Sequence, residues 1–473
     1  MKRFSKYLML LFFLAVTTNY SQNINDALRL AFPGIGSSAR ALGMGNAYNA
    51  LSYDYSGSLF NPAGLGTASR FEFSGSLLYN SFDNNADFFN TSTNYSNSTT
   101  NLSHVGFVFP MPTSRGSLVF SLGFNQSKNF NSALKFDAFN NGSTSMIQSL
   151  LGKGDISYQL YLTDTTGTQT PINGKLNQSG DILEEGKINN WSLAGAIEVS
   201  KGVFFGASLN VLAGNYKSDR RYYEDDTRNI YDASVLTDPS EPFTADFQSF
   251  YVNDVIDWDI SGWDFKVGIL YRMPEFLKLG ATVKFPTKFT VKEQYYVEAT
   301  SQFGTGTTVE MDPINNESEY DITTPYEFTG ALAFEMAALT VSAEATFIDY
   351  TQIEFGDGLN PGLVSDNNRA ITEVFNEVLN YNVGIEYRLP YPFITFRGGF
   401  IMQPSAYKDD PSDFNRKYIT GGIGFMPNKT LSLDFAYAYG WWKNVGDNYG
   451  FEDSRTYHDI TSNNFVFTMR YLF

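Results

Sequence analysis

The chain has 473 residues, with 42 Phe, 30 Tyr, 40 Gly, two His, no Cys and a net charge of −17. The missing Cys excludes disulfides, thiolate metal sites, a Cys nucleophile and a lipid anchor on a Cys. The acidity argues against a nucleic-acid partner, whose affinity rests on neutralised phosphates, and the slightly negative mean hydropathy excludes a bundle of many apolar helices.

Residues 1–22 read as a signal peptide. Lys2, Arg3 and Lys6 give a basic start, and Leu8 to Val16 is an apolar core too short to span a bilayer. Cleavage is expected near Tyr20 to Gln22, which sends the chain beyond the inner membrane. Residues 23–68 carry glycines at 34, 36, 43, 45, 57, 64 and 66 and no sustained alternation. Such a stretch suits a compact, turn-rich plug. No strand precedes GSSARALGMG and no Lys-Ser/Thr follows it, so it is not a phosphate cradle.

From residue 69 the chain reads as all-β. Fourteen segments are long enough to cross a membrane as tilted strands: 69–80, 102–111, 116–127, 189–200, 203–215, 260–272, 276–298, 318–337, 339–355, 378–389, 393–404, 415–427, 429–443 and 460–473. Several alternate cleanly. Trp191, Leu193, Gly195, Ile197 and Val199 share one face, and so do Phe465, Phe467, Met469, Tyr471 and Phe473. An exposed aromatic stripe on an unpaired strand would template aggregation; it suits a strand that faces lipid with both edges paired. The final run ending on Phe473 resembles the last strand of bacterial outer-membrane barrels.

The links sort by parity. Turns such as 111–115, 200–202, 273–275, 389–392 and 426–429 are short, whereas 81–101, 128–188, 216–259, 299–317, 356–377, 405–414 and 444–459 are longer. Short turns on one side and long loops on the other mark an up-and-down membrane barrel starting in the periplasm. The expected architecture is a 14-stranded antiparallel transmembrane β-barrel, residues 69–473, with a hatch at 23–68 in its lumen.

The long links are polar. Residues 84–103 are rich in Asn, Ser and Thr and read as a mobile loop. The acidic stretch 222–246 reads as solvated, with divalent-cation bridging to lipopolysaccharide as the alternative. Two links carry helix-like apolar patches: Met146, Ile147, Leu150 and Leu151, and Ile371, Val374, Phe375 and Val378. Each either packs its loop onto the barrel rim, the commoner outcome, or forms a landing groove for a greasy ligand.

SARALGMGNAYNALSYDYSGSLFNPAGLG resembles the hatch of the FadL/TodX (OMPP1) family of outer-membrane transporters, with Asn61, Pro62 and Ala63 as its most specific piece. WDFKVGILYRMPEFLKLGATVKFPTKFTV resembles that family's sixth and seventh strands. NVGIEYRLPYPFITFRGGFIMQPS resembles its tenth and eleventh. The resemblance implies passive uptake of long-chain fatty acids or other hydrophobic compounds, without a cofactor, by a monomer in contact with outer-membrane lipid and lipopolysaccharide. It also implies capture on apolar loops, a pocket beside the hatch, and sideways release at a kinked third strand. Gly34 and Gly36 fall in the hatch, and Gly123 is the candidate kink. Lys217, Arg220, Arg221 and Arg369 are candidate head-group cations, each with solvated loop charge as its plainer role.

Two other functions compete. Fourteen-stranded relatives of this family act as outer-membrane partners of a secretion system, and their openings look alike; a polar lumen would favour that role. A barrel hydrolase would need a nucleophile paired with His, yet no such motif surrounds His104 or His458.

Overall fold

The computed structural model describes residues 22–152, 156–273, 276–391 and 393–473. Residues 1–21, the body of the expected signal peptide with Tyr20 of its cleavage region, lie outside the described residues.

The wall is a closed, antiparallel fourteen-stranded barrel. Its strands are β1 (Glu72–Phe88), β2 (Thr91–Met111), β3 (Leu118–Asn129, resuming as Ser132–Phe139), β4 (Asn177–Ser200), β5 (Val203–Asp225) and β6 (Phe247–Arg272). Next come β7 (Leu277–Lys284 and Lys288–Phe303), β8 (Ile314–Thr323 and Glu327–Met336), β9 (Leu339–Asp349), β10 (Glu377–Arg388), β11 (Ile394–Gln403), β12 (Arg416–Phe425), β13 (Leu431–Asp447) and β14 (Arg455–Leu472). Each pairs with its neighbour, and β1 closes on β14 from Glu72↔Leu472 to Asp87↔Tyr457. Closure removes the edges that would otherwise meet lipid unpaired.

Large apolar side chains project outward in a belt about nine residues tall. Trp191, Leu193, Ile197 and Val199 supply it on β4, Phe435, Tyr437 and Tyr439 on β13, and Phe465, Met469 and Tyr471 on β14, all exposed. That is the height a tilted strand needs to cross the hydrocarbon layer. The last strand therefore presents its aromatic face to lipid.

Above the belt the pattern inverts. On β5, Tyr216 and Tyr222 turn inward and are buried, while Arg221 is exposed outside. From Val211 to Asp225 the strand runs on for about 45 Å at the usual rise. The 84–103 segment belongs to this extension: it lies in a β1–β2 hairpin paired as far as Phe88↔Thr91, and is not a mobile loop. The expected strands were short because apolar-out alternation stops where the lipid stops.

The extension encloses two apolar cores. One gathers Phe88, Phe136, Ile147, Leu160, Phe247 and Phe250 from β1, β3, β6 and the 140–176 link. The other surrounds the amino-terminal helix α1 (Ile24–Ala31) with Trp258, Tyr320, Tyr350, Ile371 and Phe375. Below α1 the chain runs through a short helix, α2 (Ala39–Gly43), and two 3-10 turns before entering β1. This segment is almost wholly buried inside the barrel.

Candidate functional site

The inner face of the wall at belt level is polar, and the amino-terminal segment is bonded to it. Arg40 donates to both Glu386 oxygens, at 3.0 and 3.2 Å, and Arg397 bridges Glu386 (2.8 Å) to Asp434 (2.7 Å). Arg470 of β14 lies 3.5 Å from Asp54 and 3.8 Å from Glu72. Glu344 of β9 accepts from the Tyr48 and Asn49 amides at 3.1 and 3.0 Å. Buried charges survive only when paired and hydrogen-bonded, so this network fixes the plug in one pose.

Asn61, Pro62 and Ala63 are a structural clamp within it. Asn61 accepts from the Ala63 amide (3.0 Å), capping a 3-10 turn that Pro62 opens. Its amide nitrogen donates to Asn49 O and Ile269 O, both at 3.1 Å, tying the turn to β6. Gly34 lies against the third strand, where a Cβ would sit 2.3 Å from Ser127 O, and Gly36 packs beside Asn46.

The third strand is where the wall departs from regularity. β2 and β3 pair only from His104↔Asn125 to Met111↔Leu118. Beyond Asn125, β3 stays paired with β4, with a one-residue bulge at Ser127 and an interruption at Phe130 and Asn131. Its backbone pairing with β2 thus ends, although Ser132–Phe139 stays close, with Asn84 donating to Ala133 O at 3.0 Å and the Phe88 and Phe136 rings 4.9 Å apart. The unpaired gap is a slot whose lower end reaches the lipid belt, since Leu77↔Leu102 and Tyr79↔Thr100 are in register there. The bend is not at Gly123. That residue sits in the regular ladder opposite Gly106, where a Cβ would meet Val105 O at 2.5 Å and the Tyr55 ring at 2.6 Å. Its smallness admits the plug; a bulge supplies the bend.

A cavity of about 230 Å3 lies behind the slot. The plug contributes Arg29, Phe32 and Ile35; the bulge contributes Lys128, Phe130 and Asn131; the far wall contributes Arg416 and Trp442. Arg29 is paired with Asp26 (2.7 Å) and Glu184 (3.0 Å). Burial lifts the Asp26 carboxyl above the usual carboxylate range, although Arg29 and the Asn23 amide pull it down. Lys128 donates to the Leu30 and Phe32 carbonyls. Arg416 lies over the rings of Phe32 (4.2 Å) and Trp442 (5.0 Å). Among the described residues neither Lys128 nor Arg416 has a carboxylate partner.

The four cations singled out in the sequence lie elsewhere. Arg220 pairs with Asp254 at 2.9 Å and bonds Asn448 O. Arg221 pairs with Asp219 at 3.2 Å, and Arg369 with Asp366 at 2.7 Å, both at the surface. Lys217 stands on the outer face of the β5 extension. None of the four lines the cavity. Lys128 was hidden because the bulge shifts its parity. Arg416 was legible: it shares the inward face of β12 with Tyr418 and Thr420, opposite Ile419 and Ile423.

The apolar loop patches also turn inward. Met146, Ile147 and Leu150 are buried in the outer core, with Leu151 at its margin. There Glu224 accepts from the Met146 and Ile147 amides at 2.6 and 3.3 Å, so this acid is a buried cap rather than a solvated charge. Ile371, Phe375 and Val378 are buried and Val374 half-buried in the core around α1. They lie on, or just after, a third helix, α3 (Pro361–Val374), which holds the plug's amino end. They pack where an open groove had been the alternative. His104 and His458 are buried, and His104 bonds Ser74 and Ser37 O.

A closed barrel with a lipid-facing belt and a filled lumen is an outer-membrane channel. Residues 178–472, well over half the chain, match the family model of outer membrane protein transport proteins (OMPP1/FadL/TodX). The chain belongs to that family, whose members are outer-membrane channels for hydrophobic compounds and not enzymes. Among solved structures it is similar to the Pseudomonas putida toluene transporter TodX (14% identity, TM-score 0.55, covering 93% of this chain and 98% of that one). It is also similar to a Pseudomonas aeruginosa FadL homologue (11%, 0.59, 93% and 99%) and to the CymD monoaromatic hydrocarbon channel (14%, 0.50, 93% and 98%). At these identities the likeness is one of fold. No curated protein matches the chain.

Proposed function

We propose that the hydrophobic compounds carried here are amphiphiles with a carboxylate head, the long-chain fatty acid class, and that they leave sideways through the slot between β2 and β3. One observation carries this reading. The cavity behind the slot holds two cations, Lys128 and Arg416, without a carboxylate partner among the described residues, beside apolar Ile35, Leu78, Phe82 and Trp442. Both cations are half-buried, Lys128 against two backbone carbonyls and Arg416 against two rings, and a ligand carboxylate supplies the charged partner that strengthens such contacts. The cavity is smaller than the ~300–1,000 Å3 of whole-ligand pockets, so it holds the head and first methylenes while the tail follows the slot toward lipid. The straight route through the lumen is closed by the bonded plug.

Equilibrium binding of palmitate and of toluene to the detergent-purified protein tests this. The native protein should bind palmitate. Lys128→Met and Arg416→Met should each weaken palmitate roughly tenfold or more, the worth of a charged hydrogen bond, and leave toluene unchanged. Toluene binding without palmitate binding would favour a single-ring hydrocarbon, which the small cavity could also hold, and would overturn the carboxylate assignment.

A further inference from the structure

The slot is spanned by side chains. From Thr91 to Leu102, β2 is paired with β1 on one edge and, among the described residues, with no strand on the other. Among the described residues three bridges cross that unpaired edge. Asn131, in the interruption of β3, donates to Thr99 Oγ1 at 2.9 Å. Lys187 of β4 donates to Asn101 Oδ1 at 2.9 Å. Asn97 donates to Glu184 O of β4 at 3.4 Å.

We infer that these three bridges form a latch: Asn97, Thr99 and Asn101 on one lip, the Glu184 carbonyl, Asn131 and Lys187 on the other, and they hold the slot shut until a ligand's polar head replaces them. This rests on the uptake reading above. The chemistry of the lips supports it. Backbone pairing would give a permanent wall, since each ladder bond is fixed by its neighbours along the strand. Side-chain bonds from Asn and Lys open by rotamer changes and leave the strands in place. Asn131 and Glu184 also line the cavity, so a ligand head seated there lies beside the bonds that must break. A carboxylate can take the hydrogens that Asn131 and Lys187 now give to β2, since it accepts and never donates when ionised. A hydrocarbon can take neither. The latch therefore adds a filter for polar-headed ligands at the exit, independent of Lys128 and Arg416.

The chain has no Cys, so a Thr99→Cys/Asn131→Cys pair can be joined by a short bis-methanethiosulfonate and released by reductant. In proteoliposomes the joined form should lose delivery of palmitate to the bilayer, and reductant should restore it to the rate of the same Cys pair before joining. Delivery at the native rate from the joined form overturns the latch. A second measurement needs no ligand. In the native background, Ser132→Cys places a thiol in the cavity wall, and its labelling by a lipid-soluble maleimide reports slot opening. Adding Asn131→Ala or Lys187→Ala should speed labelling about fivefold per bridge removed, the worth of one net hydrogen bond. Unchanged labelling overturns the latch even if the native protein binds no palmitate, an outcome that would separately overturn the carboxylate reading.

Discussion

The interior is built in two contrasting halves. At the level of the lipid belt the lumen is polar, and the plug meets it through Arg40, Glu386, Arg397, Asp434 and Arg470. Above the belt apolar packing dominates: α1 sits among Trp258, Tyr350 and Phe375, with the Arg29 pairs to Asp26 and Glu184 set within it. The lower half is held mainly by directional, paired charges, and the upper half mainly by packing. The contrast teaches where the proposed exit would fit: an apolar tail would find compatible surroundings above and a bonded charge network below, with the slot at the boundary between them. The polar groups at belt level are engaged by the plug, so the polar lumen does not by itself favour the secretion-partner role.

The largest expected effect comes from breaking the lower half. Glu386→Ala leaves Arg40 and Arg397 buried without that carboxylate, a loss of about 3–5 kcal/mol. The expected outcome is a lower Tm in detergent and protease cleavage within the plug while the barrel stays intact. In the upper half, Phe375→Ala should cost about 3–5 kcal/mol by opening a packing void. Its expected readout is faster amide exchange in α1 and α3, with Arg40's surroundings unaffected. If either substitution loosens both halves equally, they are one cooperative unit and the contrast fails. Gly123→Ala should cost about 1–3 kcal/mol from overpacking against Val105 O and Tyr55, seen as a lower Tm without any shift in the position of the slot. Asn61→Ala removes a cap and should cost about 1–2 kcal/mol, confined to faster exchange across residues 62–67.

The barrel was legible because lipid imposes a rule on every residue it touches. Phe465 to Phe473 had to alternate, and the turns had to sort by parity, whatever the interior contained. Asn61, Pro62 and Ala63 were legible as a motif, and the structure shows the motif to be a cap and clamp. Arg220, Arg221 and Arg369 are conspicuous in sequence, yet the structure pairs each with an acid nearby. Lys128 has none close by among the described residues, a fact that no local pattern records. The loop patches around Ile147 and Ile371 read as apolar surface, and folding buried both.

By itself, then, the sequence determined the wall: strand number, closure and the face turned to lipid. All of these arise from local periodicity and the solvent on one side. Only the tertiary structure decided where β3 leaves β2, which cations face the cavity and which side chains span the slot. A single bulge at Ser127 shifts the parity of the residues after it, and residues such as Thr99, Asn131 and Lys187 meet only because three strands curve into register. Pairing across such separations depends on the closed barrel as a whole, and no window of sequence contains it.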